Sequence, residues 1–244
     1  MTYCVALALE KWLVFASDTR TNAGVDYVTK VRKLHVFKPA ADRLFVILTA
    51  GNLATTQEIL NVVERDLREK KAKNSLLKCK YMFEAADYLG HVSVDVQKSH
   101  YKALQQSGVD GSATLIIGGQ IGKEPPALFH VYPQGNTISA TPDTPFFQIG
   151  ESKYGKPIID RLVKMDMPLG DAARLVLASL DATIKSNATV APPYDLAVYP
   201  ISSFDLSVDS RIEIDSEFYQ NFKTTWQSGM QHAFDNLPKF DWEG

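Results

Sequence analysis

Apolar and polar positions alternate in short blocks along most of this chain, and the blocks come in runs. Residues 3–9 and 12–17 are two apolar stretches around the polar pair Glu10-Lys11, a pattern that predicts a hairpin. Residues 33–37 and 44–50 predict a second strand pair, parted by Pro39 and Asp42-Arg43. From Leu53 the period changes: Ile59, Leu60, Val63 and Leu67 recur at helical spacing with charges between them. Residues 81–106 read as a second helix, against the β-branched Val92, Val94 and Val96. Strand patterns return after Gly108. Residues 112–118, 127–132 and 137–140 form a meander with Pro133-Gln134-Gly135 as a turn, and residues 146–150 are a short strand ending in glycine. The run GGQIG, residues 118–122, reads as a hairpin turn, since no GK[ST] follows to make it a phosphate loop. Residues 154–165 and 169–186 read as helices, 194–199 and 211–214 as closing strands, and 216–234 as a last amphipathic helix.

The order is strands, two helices, strands, two helices, strands. Runs of each kind, rather than strict alternation, favour an α+β class over a doubly wound sheet. Two mainly antiparallel sheets between helix pairs, a four-layer αββα sandwich, fit this order. No repeat or Pro/Ser-rich linker divides the 244 residues, which read as one domain over 1–244.

Composition narrows the function classes. The chain is 22% charged with a net charge of −2, and its Lys and Arg are scattered, so no nucleic-acid partner is expected. Cys4 and Cys79 lie far apart with no CxxC pattern, which points to a reducing compartment. The opening MTYCVALALE lacks a basic n-region and a long apolar stretch, and no run approaches the length of a membrane span. A cytoplasmic location without membrane contact is therefore expected. His35, His91, His100, His130 and His232 are dispersed with no HExxH-like pair, so neither a metal nor another cofactor is expected.

The candidate chemistry gathers at the N-terminus. Thr2 follows the initiator methionine, and methionine aminopeptidase removes Met1 before a small side chain. An N-terminal threonine then joins a nucleophilic hydroxyl to an α-amine whose ordinary pKa, roughly 7.7–8.0, suits a general base near neutral pH. By itself a threonine here is an ordinary strand start. SDTRTNAG, residues 17–24, adds a carboxylate and Arg20 at a sheet end in what reads as a polar loop. Lys33 in VRKLHVF is either an exposed strand-edge lysine or, pointing inward, the partner of Asp18. In TAGN, residues 49–52, Gly51 lets the backbone approach a substrate and offers an N–H to a developing oxyanion. Cys4 reads as a core thiol or a second reactive group beside the site. Phe218, Phe222, Trp226, Phe234, Phe240 and Trp242 either pack on the core or form a subunit contact.

Threonine, aspartate after the second strand, lysine, then glycine before a helix: in this order the set resembles the proteasome β-subunit family and the related bacterial HslV peptidase. MTYCVALAL, FASDTRTNAG, RKLHVF and GESKYGKPIIDR look most like the bacterial proteasome-related family called Anbu, and the likeness spans nearly the whole chain. The resemblance implies a four-layer αββα fold, Thr2 as nucleophile, Asp18 and Lys33 as its polar partners, Gly51 as oxyanion donor and Arg20 in support. It implies that exposing Thr2 needs only the loss of Met1. It also implies self-assembly into rings or open helical rings and a peptide or unfolded-protein substrate, and it names no ATPase partner. In the family pattern a serine follows a glycine after a sheet strand, and here Glu151 or Ser152 takes that place. The pattern's acid near the end of the penultimate helix falls on Ser186 or Asn187, which removes a carboxylate from the proton-transfer network. Two rival readings follow: a scaffold or binding subunit with little activity, and a non-peptide amidase or transpeptidase.

Overall fold

The computed structural model describes residues 2–23, 27–69 and 71–243. Two five-stranded antiparallel sheets carry the architecture. The first takes strands β1 (Tyr3–Ala8), β2 (Trp12–Asp18), β10 (Phe146–Gly150), β11 (Tyr194–Pro200) and β12 (Val208–Ile212), in the order β10-β1-β2-β11-β12. The second runs β5 (Leu34–Ala40), β6 (Arg43–Gly51), β7 (Ala113–Ile121), β8 (Ala127–Val131) and β9 (Thr137–Ser139), in chain order. Helices α1 (Leu53–Arg68) and α2 (Met82–Gln106) cover the second sheet. Helices α3 (Lys156–Leu162), α4 (Leu169–Ser186) and α5 (Glu217–Asp235) cover the first.

The period-two side-chain alternation of a strand explains why these strands read as near-continuous apolar runs. Tyr3, Val5 and Leu7 of β1 pack toward α4, while Cys4 and Ala6 face the other sheet. In β6, Phe45 and Ile47 face α1 and α2, while Leu44, Val46 and Leu48 meet the first sheet. Both faces of each sheet are thus buried, and the αββα layering follows. Phe15 and Phe45 are fully buried, each contributing roughly 1.5–3 kcal/mol by transfer from water.

Three local expectations are corrected. The polar loop after β2 is instead a two-stranded ribbon, β3 (Arg20–Ala23) paired with β4 (Tyr27–Lys30), with Arg20 opposite Lys30. Only the last residue of GGQIG belongs to a hairpin turn: Gly122, at φ +54°, leaves β7 toward β8, whereas Gly118 lies within β7, where a Cβ would sit 2.7 Å from Phe15 Cζ of the facing sheet. Close sheet packing, rather than a turn, requires that glycine. Helix α3 is shorter than expected because the backbone turns extended at Val163 (ψ 133°), five residues before Pro168 opens α4. No helix among the described residues is long and apolar enough to cross a membrane.

Candidate active site

Thr2 sits at the mouth of the first sheet, where β1, β2 and β10 end together. Tyr3 pairs with Gly150 in the β1–β10 ladder, and the Glu151 N–H donates to the Thr2 carbonyl at 2.7 Å. Gly150 has φ +82°, and a Cβ there would lie 1.9 Å from Thr2 O. Only glycine permits this approach, so strand β10 fixes the Thr2 backbone from one side.

Strand β2 fixes it from the other. Asp18, the last residue of β2, is fully buried and collects donors. Its Oδ1 accepts from the Tyr3 N–H at 3.0 Å and from Lys33 Nζ at 2.7 Å, and its Oδ2 accepts from the Arg20 N–H at 3.1 Å. Lys33 is 4% exposed and donates also to the Arg20 carbonyl at 2.6 Å. Burial pushes the Asp18 carboxyl up from its ordinary range. The Lys33 ammonium and the N–H groups of Tyr3 and Ala191 oppose that shift by favouring the charged form. Of the two readings of Lys33, the inward one is the observed one.

Gly51 ends β6 with φ +106°, and a Cβ there would meet Ser112 O at 2.3 Å. Just beyond it Asn52 caps α1, its side chain accepting from the Thr55 N–H at 3.2 Å. Thr2, Lys33, Thr49 and Gly51 line one cleft of about 970 Å³, together with Arg32 and His35. Arg32 and His35 escaped the sequence reading, although strand alternation from Lys33 puts residue 35 on the same side. Burial and the neighbouring Arg32 guanidinium hold the His35 imidazole below its ordinary pKa.

Behind the site a second buried carboxylate, Asp195, holds Arg211 through two bonds of 2.8 and 3.0 Å, with Arg32 Nε at 3.7 Å. The Arg20 guanidinium reaches across to the Ala188 carbonyl at 2.7 Å and ties β3 to the segment after α4. In that segment Asn187 is buried, and its Nδ2 donates to Glu151 Oε2 at 2.9 Å. Ser186 is exposed on the last turn of α4. Ser152 is half-buried in the turn entering α3, its N–H on the Gly150 carbonyl at 3.0 Å. Cys4 is buried with its Sγ on the Thr49 carbonyl at 3.6 Å, and burial pushes its thiol pKa far up, so it packs as a core thiol. Met1 lies outside the described residues, and the removal expected for it is a reading of the sequence. Among the described residues no three His, Cys, Asp or Glu side chains gather as a metal site.

Two facing antiparallel sheets between helix layers, with Thr2 at their open end, define a fold class shared with known proteins. The family model described as "Proteasome subunit" matches residues 2–198, and the chain belongs to that family. Within it, the chain belongs to the Anbu, or ancestral β-subunit, family. It is 43% identical to Anbu from Yersinia bercovieri, with 98% of this chain and 99% of that one covered at a TM-score of 0.90. It is 42% identical to Anbu from Pseudomonas aeruginosa, described as a helical assembly, with 98% of each chain covered and a TM-score of 0.91. A mutant Anbu from Hyphomicrobium sp. strain MC1 is also 42% identical, covering 99% of this chain and 100% of that one at a TM-score of 0.90. A search of the curated proteins gives no match.

Proposed function

We propose that this protein is a threonine-type N-terminal-nucleophile hydrolase that cleaves peptide or related amide bonds. The observation that carries the reading is the buried pair in the cleft wall, Lys33 Nζ 2.7 Å from Asp18 Oδ1, in the cleft that Thr2 also lines. Packing alone is served as well by apolar side chains of similar volume, so an ion pair held at such desolvation cost argues for chemistry. A fixed cation beside a hydroxyl favours the negative charge that develops on its oxygen during attack.

In the mature form, free of Met1, Thr2 Oγ attacks the carbonyl carbon while the α-amine takes the hydroxyl proton. The Gly51 N–H donates to the oxyanion of the tetrahedral adduct, an interaction of a kind worth roughly a hundredfold or more in rate. Collapse breaks the C–N bond. The amine's proton passes to the leaving nitrogen, and the acyl group remains as an ester on Thr2. Water, giving a proton to the same amine, attacks this ester. Its C–O bond breaks, Oγ regains a proton, and the acid departs. Lys33 and Asp18 set the field around Oγ, and no step calls for a metal or organic cofactor.

Self-assembly belongs to the same proposal. Phe218, Phe222, Trp226 and Met230 of α5 line an apolar groove against α4, and Phe234, Phe240 and Trp242 are exposed nearby. Together with the helical assembly described for the Pseudomonas relative, this face suits a second copy of the chain. A cytoplasmic location fits the two unpaired, buried thiols.

The test uses a p-nitrophenyl ester small enough to enter the cleft. Wild type and Thr2→Ser are expected to release a stoichiometric burst of p-nitrophenolate, and Thr2→Ala none. Equal bursts from wild type and Thr2→Ala would place the nucleophile elsewhere.

A further inference from the structure

The sequence has no acid at the end of α4, yet the residue hydrogen-bonded to the Thr2 backbone is itself an acid. Glu151 is the residue whose N–H binds the Thr2 carbonyl, and it is 9% exposed. Its carboxylate accepts from Asn187 Nδ2 at 2.9 Å and lies 3.4 Å from the exposed Lys153 Nζ. The orientation of Asn187 is set on its other side, because its Oδ1 accepts from the Thr189 N–H at 3.0 Å and from Thr189 Oγ1 at 2.6 Å. With the oxygen engaged twice, the amide has only its NH₂ to offer Glu151. An acid at position 187 would set two buried carboxylates face to face, and one of them would have to take a proton.

We infer that Glu151 is the positioning residue that places a negative charge beside the α-amine of Thr2, and that residue 187 is an amide because it must donate to that carboxylate. This rests on the reading of Thr2 as the N-terminal nucleophile. The other titratable groups in and behind the cleft come from β2 (Asp18), the segment before β5 (Arg32 and Lys33), β5 (His35, which burial and Arg32 disfavour as a cation), β3 (Arg20), β11 (Asp195, held by Arg211) and the loop after β10 (Lys153). Asp18 and Lys33 pair with each other, and Arg20 is engaged by the Ala188 carbonyl. Arg32 pairs with Asp209 at 2.8 Å. Lys153 is 68% exposed and only partly offsets Glu151. Glu151 therefore stabilises the protonated amine and sets the pH at which it becomes a base.

The test is the pKa of the Thr2 α-amine, measured on the full chain by competitive labelling with fluorodinitrobenzene across pH and reading the N-terminal peptide by mass. This readout does not depend on hydrolysis. Glu151→Gln keeps the volume and an acceptor oxygen for Asn187, and is expected to lower the amine pKa by about one unit. The exchanged pair Glu151→Gln with Asn187→Asp turns the donor and acceptor around, so the new glutamine amide donates to the new aspartate. It is expected to return the pKa to within a few tenths of wild type and serves as the folding control should the single variant fail to fold. A free Thr2 amine whose pKa is the same in wild type and Glu151→Gln overturns the inference and leaves the nucleophile reading standing. An exchanged pair that fails to recover the wild-type value also overturns it. A chain that keeps Met1 overturns both.

Discussion

Replacing Lys33 by methionine removes the ammonium 2.7 Å from a carboxylate that is fully buried. Methionine fills a comparable volume, so the loss is mainly electrostatic. Asp18 keeps its N–H donors and loses its only cation partner at hydrogen-bond distance among the described residues. Breaking a buried pair on one side costs about 3–5 kcal/mol, and at about 2–4 °C per kcal/mol for a chain of this size the melting temperature falls by roughly 6–20 °C near neutral pH. The pH dependence separates this cause from lost packing. Burial holds the Asp18 pKa above its unfolded value. Stability owed to this group is therefore complete below the unfolded pKa, about 3.9, and is lost as pH rises through the folded pKa. Removing Lys33 lifts the folded pKa further and widens that window. The gap between wild type and Lys33→Met is expected to be smallest at the acid end, near the unfolded pKa of about 3.9, and to grow toward neutrality. Thermal melts at a fixed protein concentration, taken in steps across that range, measure it. A gap that stays constant with pH, or vanishes at neutrality, refutes the reasoning.

Gly150→Ala forces a Cβ to within 1.9 Å of Thr2 O at φ +82°. It is expected to lower stability by about 1–3 kcal/mol and to abolish the ester burst by displacing Thr2; an unchanged burst and melting temperature count against the positioning role of β10. The thiols should be inert in the native protein, since burial pushes Cys79 up to about 11 and Cys4 higher still. Iodoacetamide at mildly alkaline pH is expected to label neither thiol until denaturant is added, and rapid native labelling of Cys4 would show a reactive group at the site. Size-exclusion chromatography with light scattering is expected to find an oligomer that Trp226→Glu shifts toward monomer, and an unshifted profile rules the α5 face out as the contact.

The strands with two buried faces were legible because their apolar runs are long and clearly punctuated, as at Glu10-Lys11 between β1 and β2. The β3–β4 ribbon was not. Its residues are largely polar, and its strand form comes from mutual pairing, such as Thr21 with Thr29, rather than from a core-facing pattern. Gly118 misled for a related reason: glycine is a local turn signal, while the demand on it comes from Phe15 in the other sheet. At the site, Asp18 and Lys33 stood out through their order along the chain, though only the folded arrangement decided which way Lys33 points. The Glu151–Asn187 contact joins residues 36 apart through two different elements. No local pattern encodes such a contact, so the sequence left residues 151, 152, 186 and 187 as open alternatives.

The central claim is that Thr2, with a free amine, is the acylated nucleophile. Incubation with a small β-lactone followed by intact-mass and peptide mass spectrometry tests it most directly. The expected result is a chain lacking Met1 that gains one acyl group per subunit, mapped to Thr2 and absent from Thr2→Ala. Retention of Met1, or an adduct carried equally by Thr2→Ala, contradicts the account.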